Sequence, residues 1–364
     1  MKRFQKTGTL VMAAIMAVSL MGCGAVVNNP SAAKSTAKTG TASTAAKSST
    51  ASTSGSGSNS EIKIIMGHEG NDDLSDGILS VKFNELIKQK SNGRITVDYK
   101  SNGTLGDEDE LLQQVMKGSI QSACISTSTF SNYTNELDAL QLPFLYKDYE
   151  QERKALQSDQ ARALYTDIEK LGVKVTDVVE IGSRQFANKV RPITKMEDLK
   201  GIKMRVVPST LVTDVASAIG MTSTPVSYGE IYSSLQSGVI DGEEINLISI
   251  VSNSHDEVLK YVSMINFYAF PSALTFNLKW FNSLSADDQA LIKECSSEAM
   301  NYAMDQCEKI DKDSLQKCID RGLKINYIDD TEKQKFVDAC TKVYDQYTAK
   351  NANIKAYVDY VKGM

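Results

Sequence analysis

The sequence predicts an α/β protein of two lobes, each built on a largely parallel sheet covered by helices. Two observations carry this reading. Short apolar runs alternate along the body of the chain with segments of helical spacing, the order that a parallel sheet with covering helices demands. One unit also occurs twice: Glu110-Leu-Leu-Gln-Gln-Val-Met-Lys-Gly118-Ser-Ile120 is answered by Glu230-Ile-Tyr-Ser-Ser-Leu-Gln-Ser-Gly238-Val-Ile240, with the same interval from Glu to Gly. Each copy reads as an acid-started helix, a glycine stop and a strand, so the two belong to matching places in separate lobes. Ligands of such sheets bind beyond the carboxyl ends of the strands. The first unit then delivers Ser126 and Thr127 to a cleft, and the second delivers Glu244 and Asn246.

The chain opens on Lys2, Arg3 and Lys6, followed by an apolar run from Leu10 to Leu20 and the tetrapeptide Leu20-Met21-Gly22-Cys23. The apolar run is too short for a spanning helix and has polar residues after it, which is the order of an export signal. The tetrapeptide resembles a bacterial lipobox, in which the cysteine becomes the lipidated first residue of the mature protein. Residues 1–22 are therefore expected to be a signal peptide and Cys23 a lipid anchor. Asn28 to Ser60 is almost wholly Ser, Thr, Ala, Gly and Lys. Such a segment buries too little surface to offset its ordering entropy and is expected to be a tether, so 23–60 hangs the body from a membrane.

In the body, Ile62 to Met66 reads as a strand, and Leu74 to Lys90 as a helix with Ile78, Val81, Leu86 and Ile87 at helical spacing, ended by Asn92-Gly93. Ile95 to Tyr99 alternates as a strand does. Asp107 is placed to cap a helix through Met116, with Gly118 where a left-handed stop is wanted, and Ile120 to Ile125 reads as the next strand.

Without residues 1–22 the chain has 37 Lys+Arg against 45 Asp+Glu, about −8, with no basic tract. That balance argues against nucleic acid as a partner, since phosphate binding needs clustered cations. Any anion site must be local, which draws attention to Arg184 and Arg205 at the ends of strand-like runs. Arginine presents a fixed fork of N–H donors matched to a carboxylate. Besides Cys23 there are five cysteines, Cys124, Cys295, Cys307, Cys318 and Cys340, so internal disulfides cannot use them all. They read as small buried residues. With two histidines, His68 and His255, no Cys-x-x-Cys, and none of the Gly-x-Ser-x-Gly, His-Glu-x-x-His or phosphate-loop patterns, neither an enzyme nor a metal or other cofactor is expected.

Several segments in order carry a family resemblance. These are Gly182-Ser-Arg-Gln-Phe186, Arg191-Pro-Ile193, Asp198-Leu-Lys-Gly-Ile-Lys-Met-Arg-Val206 and Tyr228-Gly-Glu-Ile-Tyr232 running on to Leu235-Gln236, Gly238-Val-Ile-Asp-Gly242 and Glu244. Leu105-Gly106, Leu142-Pro-Phe-Leu145 and Trp280-Phe-Asn-Ser-Leu284 also fit. Together they resemble the DctP-type solute receptor of TRAP (tripartite ATP-independent) transporters, from about Ile62 to the C-terminus. The resemblance implies two lobes joined by hinge strands, with a long helix of the C-terminal region lying across both. Lobe I would comprise 61–181 and 271–310, and lobe II would comprise 182–270 and 311–364. It further implies an extracytoplasmic monomer that closes on a small organic acid and passes it to TRAP membrane subunits.

Residue by residue, the resemblance makes Arg205 the partner of the ligand carboxylate and Arg184 a second arginine near it. Tyr228 falls on the wall of the cleft, and His68, Glu108 and Ser126 fall where the other lobe supplies polar contacts. Glu244 and Asn246 close the pattern, while Ile245 stands where relatives carry a polar side chain that often touches ligand. Plainer roles stand beside these. Arg184 is either a ligand contact or a structural partner of Glu230 or Asp198, and Tyr228 is either wall or core. His68 is either a contact or a hydrogen-bonded structural histidine, and Asn246 either meets ligand or caps the next segment. A hexuronate is the expected solute, because the Arg-Gln-Phe and Tyr-Gly-Glu-Ile-Tyr segments look closest to that branch. A C4-dicarboxylate, with two arginines for two carboxylates, is the alternative solute. A sensing module that presents its liganded form to a membrane kinase is the alternative role.

Overall fold

The computed structural model describes residues 60–364. The signal segment, Cys23 and the tether lie outside the described residues. The chain first forms β1 (Ile62–His68), α1 (Ser75–Lys90), β2 (Ile95–Lys100), α2 (Glu108–Lys117), β3 (Ser122–Ser126), α3 (Thr127–Phe130), α4 (Tyr149–Leu156), α5 (Asp159–Asp167) and β4 (Val173–Glu180). It then crosses to β5 (Gln185–Asn188), β6 (Lys203–Val206), α6 (Thr210–Ala218), β7 (Thr222–Pro225), α7 (Ile231–Ser237), β8 (Gly242–Ile245), α8 (Leu247–Ser252) and β9 (Tyr261–Met264). It returns through β10 (Pro271–Asn277) and α9 (Leu278–Ser283), and ends with α10 (Ala286–Asp320), β11 (Lys324–Tyr327), α11 (Asp330–Thr348) and α12 (Ala352–Lys362).

Two sheets result, in the orders β2-β1-β3-β10-β4 and β11-β9-β5-β8-β6-β7. This is the expected two-lobed α/β architecture, with one correction: the sheets are mixed rather than largely parallel. β10 runs antiparallel to β3 and β4, and β5 runs antiparallel to β8 and β9. The physical reason is the crossing itself. β5 and β10 enter their sheets from the other lobe instead of through a right-handed helical crossover, so nothing forces them parallel.

The repeated unit occupies equivalent places. Asp107 and Glu110 form a reciprocal capping box that opens α2, and α2 and α7 both end on a left-handed glycine, Gly118 and Gly238, each at φ 77°. A side chain with a Cβ would strain there. β3 then pairs parallel with β1, and β8 pairs parallel with β6.

α10 has 35 residues, a length of about 50 Å at 1.5 Å per residue. Its buried Ile292, Cys295, Ala299, Met300, Ala303, Met304 and Cys307 recur at helical spacing and join Phe83, Phe276 and Phe281 in the first-lobe core. Further along it packs on α8 of the second lobe, so it lies across both. The second-lobe core gathers Ile231, Leu235, Ile245, Ile250, Val262 and Leu323. All five described cysteines are buried and free. Residues 311–364 divide between the lobes: β11 joins the second sheet, but α12 lies against α4 and α5 of the first. Its apolar face of Ile354, Tyr357, Val358 and Val361 finds cover there, and the Tyr357 and Tyr146 hydroxyls pair at 2.7 Å.

The two connections between lobes run side by side. Arg184 N donates to Tyr268 O at 2.9 Å, Phe267 N to Arg184 O at 2.9 Å and Ile181 N to Phe270 O at 3.2 Å. Glu180 Oε1 accepts from Gly182 N at 2.7 Å and Phe270 N at 3.1 Å, so one carboxylate holds both crossing segments. Gly182 sits at φ 144°, with Asp311 Oδ1 only 3.0 Å from where a Cβ would stand. Glycine is required there on both counts.

Candidate ligand-binding site

The carboxyl ends of β1, β6 and β8 and the N-terminus of α2 converge with the hinge on a cavity of about 150 Å³. The second-lobe wall carries Arg205, Val207, Pro208, Tyr228, Asn246 and Ser249; the hinge adds Ile181, Arg184 and Phe270. Glu69, Asp76, Asp107, Glu108, Asp109 and Thr129 form the first-lobe wall. One wall is cationic and the other acidic.

Arg205 is 2% exposed, yet its Nε is engaged only by the Val226 carbonyl, at 2.9 Å. Among the described residues its two terminal nitrogens make no hydrogen bond. Burial, together with the Arg184 charge, holds its guanidinium below the usual value, against the pull of Glu244. A desolvated fork of unpartnered donors on a cavity wall is built for an anion with two oxygens.

Arg184 is equally buried but is already occupied. Its Nε donates to Glu244 Oε2 at 2.7 Å and its Nη2 to the Glu244 carbonyl at 2.7 Å, while its guanidinium lies 4.1 Å from the Phe270 ring centre. The same carboxylate accepts from Tyr268 Oη at 2.5 Å and Val207 N at 3.0 Å. Burial opposes the charge on Arg184, but Glu244 and Tyr268 raise its pKa all the same. Glu244 thus joins both hinge segments to the end of β6, and the strand that places Arg205 is braced from behind.

On the first-lobe wall, Glu108 accepts from Ser126 N at 2.7 Å, Thr129 Oγ1 at 2.7 Å and the Ser126 hydroxyl. Burial raises its pKa, and these bonds oppose the rise. Glu69 Oε2 accepts from Glu108 N at 3.3 Å. Burial and the neighbouring Glu108 and Asp107 push the Glu69 carboxyl up to about 8, restrained by Arg205 across the cavity. His68 Nε2 lies 3.1 Å from Asp76 Oδ2, and its Nδ1 lies 3.2 Å from Tyr99 Oη. Burial works against protonation of His68, yet Asp76 raises its pKa on balance.

Of the residues singled out from sequence, Arg205, Arg184, Tyr228, Asn246 and Glu108 border the cavity together; His68, Ser126 and Glu244 stand behind its wall. The structural partner of Arg184 is Glu244, not Glu230 or Asp198. Asn246 both borders the cavity and caps α8, accepting from Ser249 N at 3.3 Å. Tyr228 donates to Ser249 Oγ at 3.0 Å and accepts from Asn253 Nδ2 at 2.5 Å, which fixes it on the wall. Ile245 is wholly buried in the second-lobe core, because alternation along β8 turns it from the face of Glu244 and Asn246. Glu69, Asp76, Asp109 and Phe270 are among the lining residues that sequence reasoning did not single out. The signal for Glu69 was its place directly after β1, at a strand's carboxyl end. The lobes touch across the cleft: Asn132 Nδ2 donates to Pro208 O at 2.9 Å, Leu211 N to Ser131 Oγ at 3.0 Å and Ser252 Oγ to Asp73 Oδ2 at 2.6 Å.

Comparison with known proteins finds relatives over most of the described residues. The model of the DctP family, bacterial extracellular solute-binding protein family 7, matches residues 66–351. A solute-binding protein of Chromohalobacter salexigens is 27% identical over 276 residues, which cover 76% of this chain and 82% of that protein. The C4-dicarboxylate-binding protein of Bacillus subtilis is 24% identical over 292 residues, covering 80% and 83%. A TRAP periplasmic solute-binding protein of a Sulfitobacter species, solved with bound β-D-galacturonate, aligns with a TM-score of 0.77 at 25% identity, over 83% of this chain and 100% of that one.

Proposed function

Because this chain belongs to the bacterial extracellular solute-binding protein family 7, we propose that it captures a sugar acid of the hexuronate class outside the cytoplasm and delivers it to a TRAP membrane permease. The observation that carries the reading is Arg205, a buried guanidinium on the cavity wall whose terminal donors have no partner among the described residues. A solute carboxylate completes that fork, and in a closed cleft the pair is strong because water no longer competes.

The opposite wall favours one of the two candidate solutes over the other. Asp107, Glu108 and Asp109 offer acceptors to hydroxyl groups and repel a second carboxylate. Arg184, the other arginine on the cavity among the described residues, is held by Glu244. A C4-dicarboxylate, the solute named for the Bacillus relative, would face acids at its far end. A polyhydroxylated monoacid fits both walls, and galacturonate in the Sulfitobacter relative is a ligand of that kind.

Calorimetry of the purified protein with D-glucuronate, D-galacturonate, succinate, malate and D-glucose tests this. Tight binding of a hexuronate with weak or absent binding of the others is expected. Stabilisation by neutral sugars but not by acids overturns the reading. Lipidation at Cys23 is part of the proposal and rests on the Leu-Met-Gly-Cys segment. Replacement of Cys23 by Ser should move the protein from the membrane fraction to the soluble one. Neighbouring genes for a large and a small membrane subunit would favour transport, whereas a sensor kinase gene would favour signalling.

A further inference from the structure

We infer that the site takes up its solute anion together with one proton, which Glu69 holds in the closed complex. This rests on the carboxylate-binding role of Arg205 proposed above.

The argument begins with what surrounds Glu69. Its side chain borders the cavity directly after β1, where Asp107, Glu108 and Asp109 at the start of α2 border it too. Its one hydrogen bond among the described residues is the 3.3 Å contact from Glu108 N. Of the remaining charged groups on the cavity, Asp76 is matched by His68 at 3.1 Å and Arg184 by Glu244 at 2.7 Å. Among the described residues that border the cavity, the cation left to compensate Glu69 is Arg205, on the facing lobe. That is the group a carboxylate solute takes.

Opening the cleft returns water to Glu69, and a hydrated carboxylate is ionised well below neutrality. Closing it removes that water while leaving Asp107 and Glu108 in place, which already brings the carboxyl up to about 8 with Arg205 unoccupied. A solute carboxylate on Arg205 cancels the one favourable field and adds a like charge to the same small cavity. Both changes act in one direction. Glu69 therefore binds a proton from solvent as the lobes shut, and its neutral carboxyl then supplies an O–H donor among the acids of that wall.

The linkage has a definite sign. The complex holds one more proton than the open receptor, so affinity for the anion falls as pH rises from about 5 to about 8, by up to tenfold per unit where the uptake is complete. A hexuronate is fully ionised across this range and contributes no proton of its own.

Calorimetric titration of the full protein with D-glucuronate or D-galacturonate at pH 7, in phosphate and in Tris, reads the uptake directly through the buffers' different ionisation heats. An uptake between about 0.5 and 1 proton per solute is expected. Glu69→Gln, which mimics the protonated carboxyl, should lose the buffer dependence and the fall of affinity with pH, and should bind at pH 7 about as tightly as the parent does near pH 5. Binding with no buffer dependence in the parent overturns the inference while leaving the sugar-acid reading intact. Uptake that persists in Glu69→Gln overturns the assignment to Glu69 and points to His68. Absence of binding by any hexuronate overturns the underlying reading and the inference with it.

Discussion

Arg184 and Glu244 form an enclosed ion pair at 2.7 Å, and the arginine also reaches the main-chain carbonyl of the same glutamate at 2.7 Å. The pair joins the first hinge segment to β8, while Tyr268 on the second segment and Val207 N beyond β6 bind the same carboxylate. It is a hinge fastening that borders the cavity on one side, so its loss acts first on stability and only then on the solute.

Breaking one member of a buried ion pair strands the other charge, a cost of about 3–5 kcal/mol. Glu244→Leu and Arg184→Met should each lower the unfolding free energy measured in urea by an amount of that order. The combination Arg184→Met with Glu244→Leu should cost clearly less than the two single changes added together. Strict additivity in chemical denaturation would contradict the pairing.

Arg205 predicts the opposite balance. Its terminal donors satisfy nothing in the ligand-free protein, so Arg205→Ala should leave the melting temperature within a few degrees of the parent or above it. Hexuronate affinity should fall at least tenfold, since truncating one partner of a buried charge pair costs roughly 2–5 kcal/mol. Arg205→Lys keeps the charge but loses the fork and should recover only part of the affinity. Unchanged calorimetric affinity in Arg205→Ala would remove the residue from the site.

Asn246 has two roles that substitution separates. Asn246→Ala removes the cap of α8 and should cost about 1 kcal/mol of stability. Asn246→Asp retains a capping oxygen but brings a negative charge to the cavity wall, so it should fold as stably as the parent and bind the anion more weakly. Thermal melts and solute titrations of the two variants check this.

Asp311, on α10 behind the hinge, gives a pH dependence. Burial pushes its carboxyl up to about 7, against the hydrogen bond from Tyr149 and with help from nearby Glu180. The native state thus holds a proton that the unfolded chain has released above about pH 4. Stability from this group is fully present below that value and is lost as pH rises through about 7. Urea unfolding between pH 4 and 8 should show the decline, and Asp311→Asn should flatten it. Asp138 and Asp177, also raised to about 7 chiefly by burial, add to the slope in the same sense and keep it from vanishing in the variant.

The α/β class, the repeated helix–glycine–strand unit and the caps at Asp107, Gly118 and Gly238 were legible in the sequence because each depends on near neighbours: helical and strand periodicity, a side chain three residues from its acceptor, a glycine where φ must be positive. The segments resembling the family were legible for the same reason. Tertiary structure decided the rest. Two arginines of like appearance parted company only when folding brought Glu244, sixty residues on, against Arg184 and nothing against the terminal nitrogens of Arg205. β5 and β10 became antiparallel because they cross between lobes, α12 found its cover on the first lobe, and Ile245 turned into a core. Glu69 acquired its place in the site from Asp107, Glu108 and Arg205, none of them near it in the chain. Which charge is satisfied, which is left free and which is desolvated depends on long-range proximity, and that is set by the packed fold.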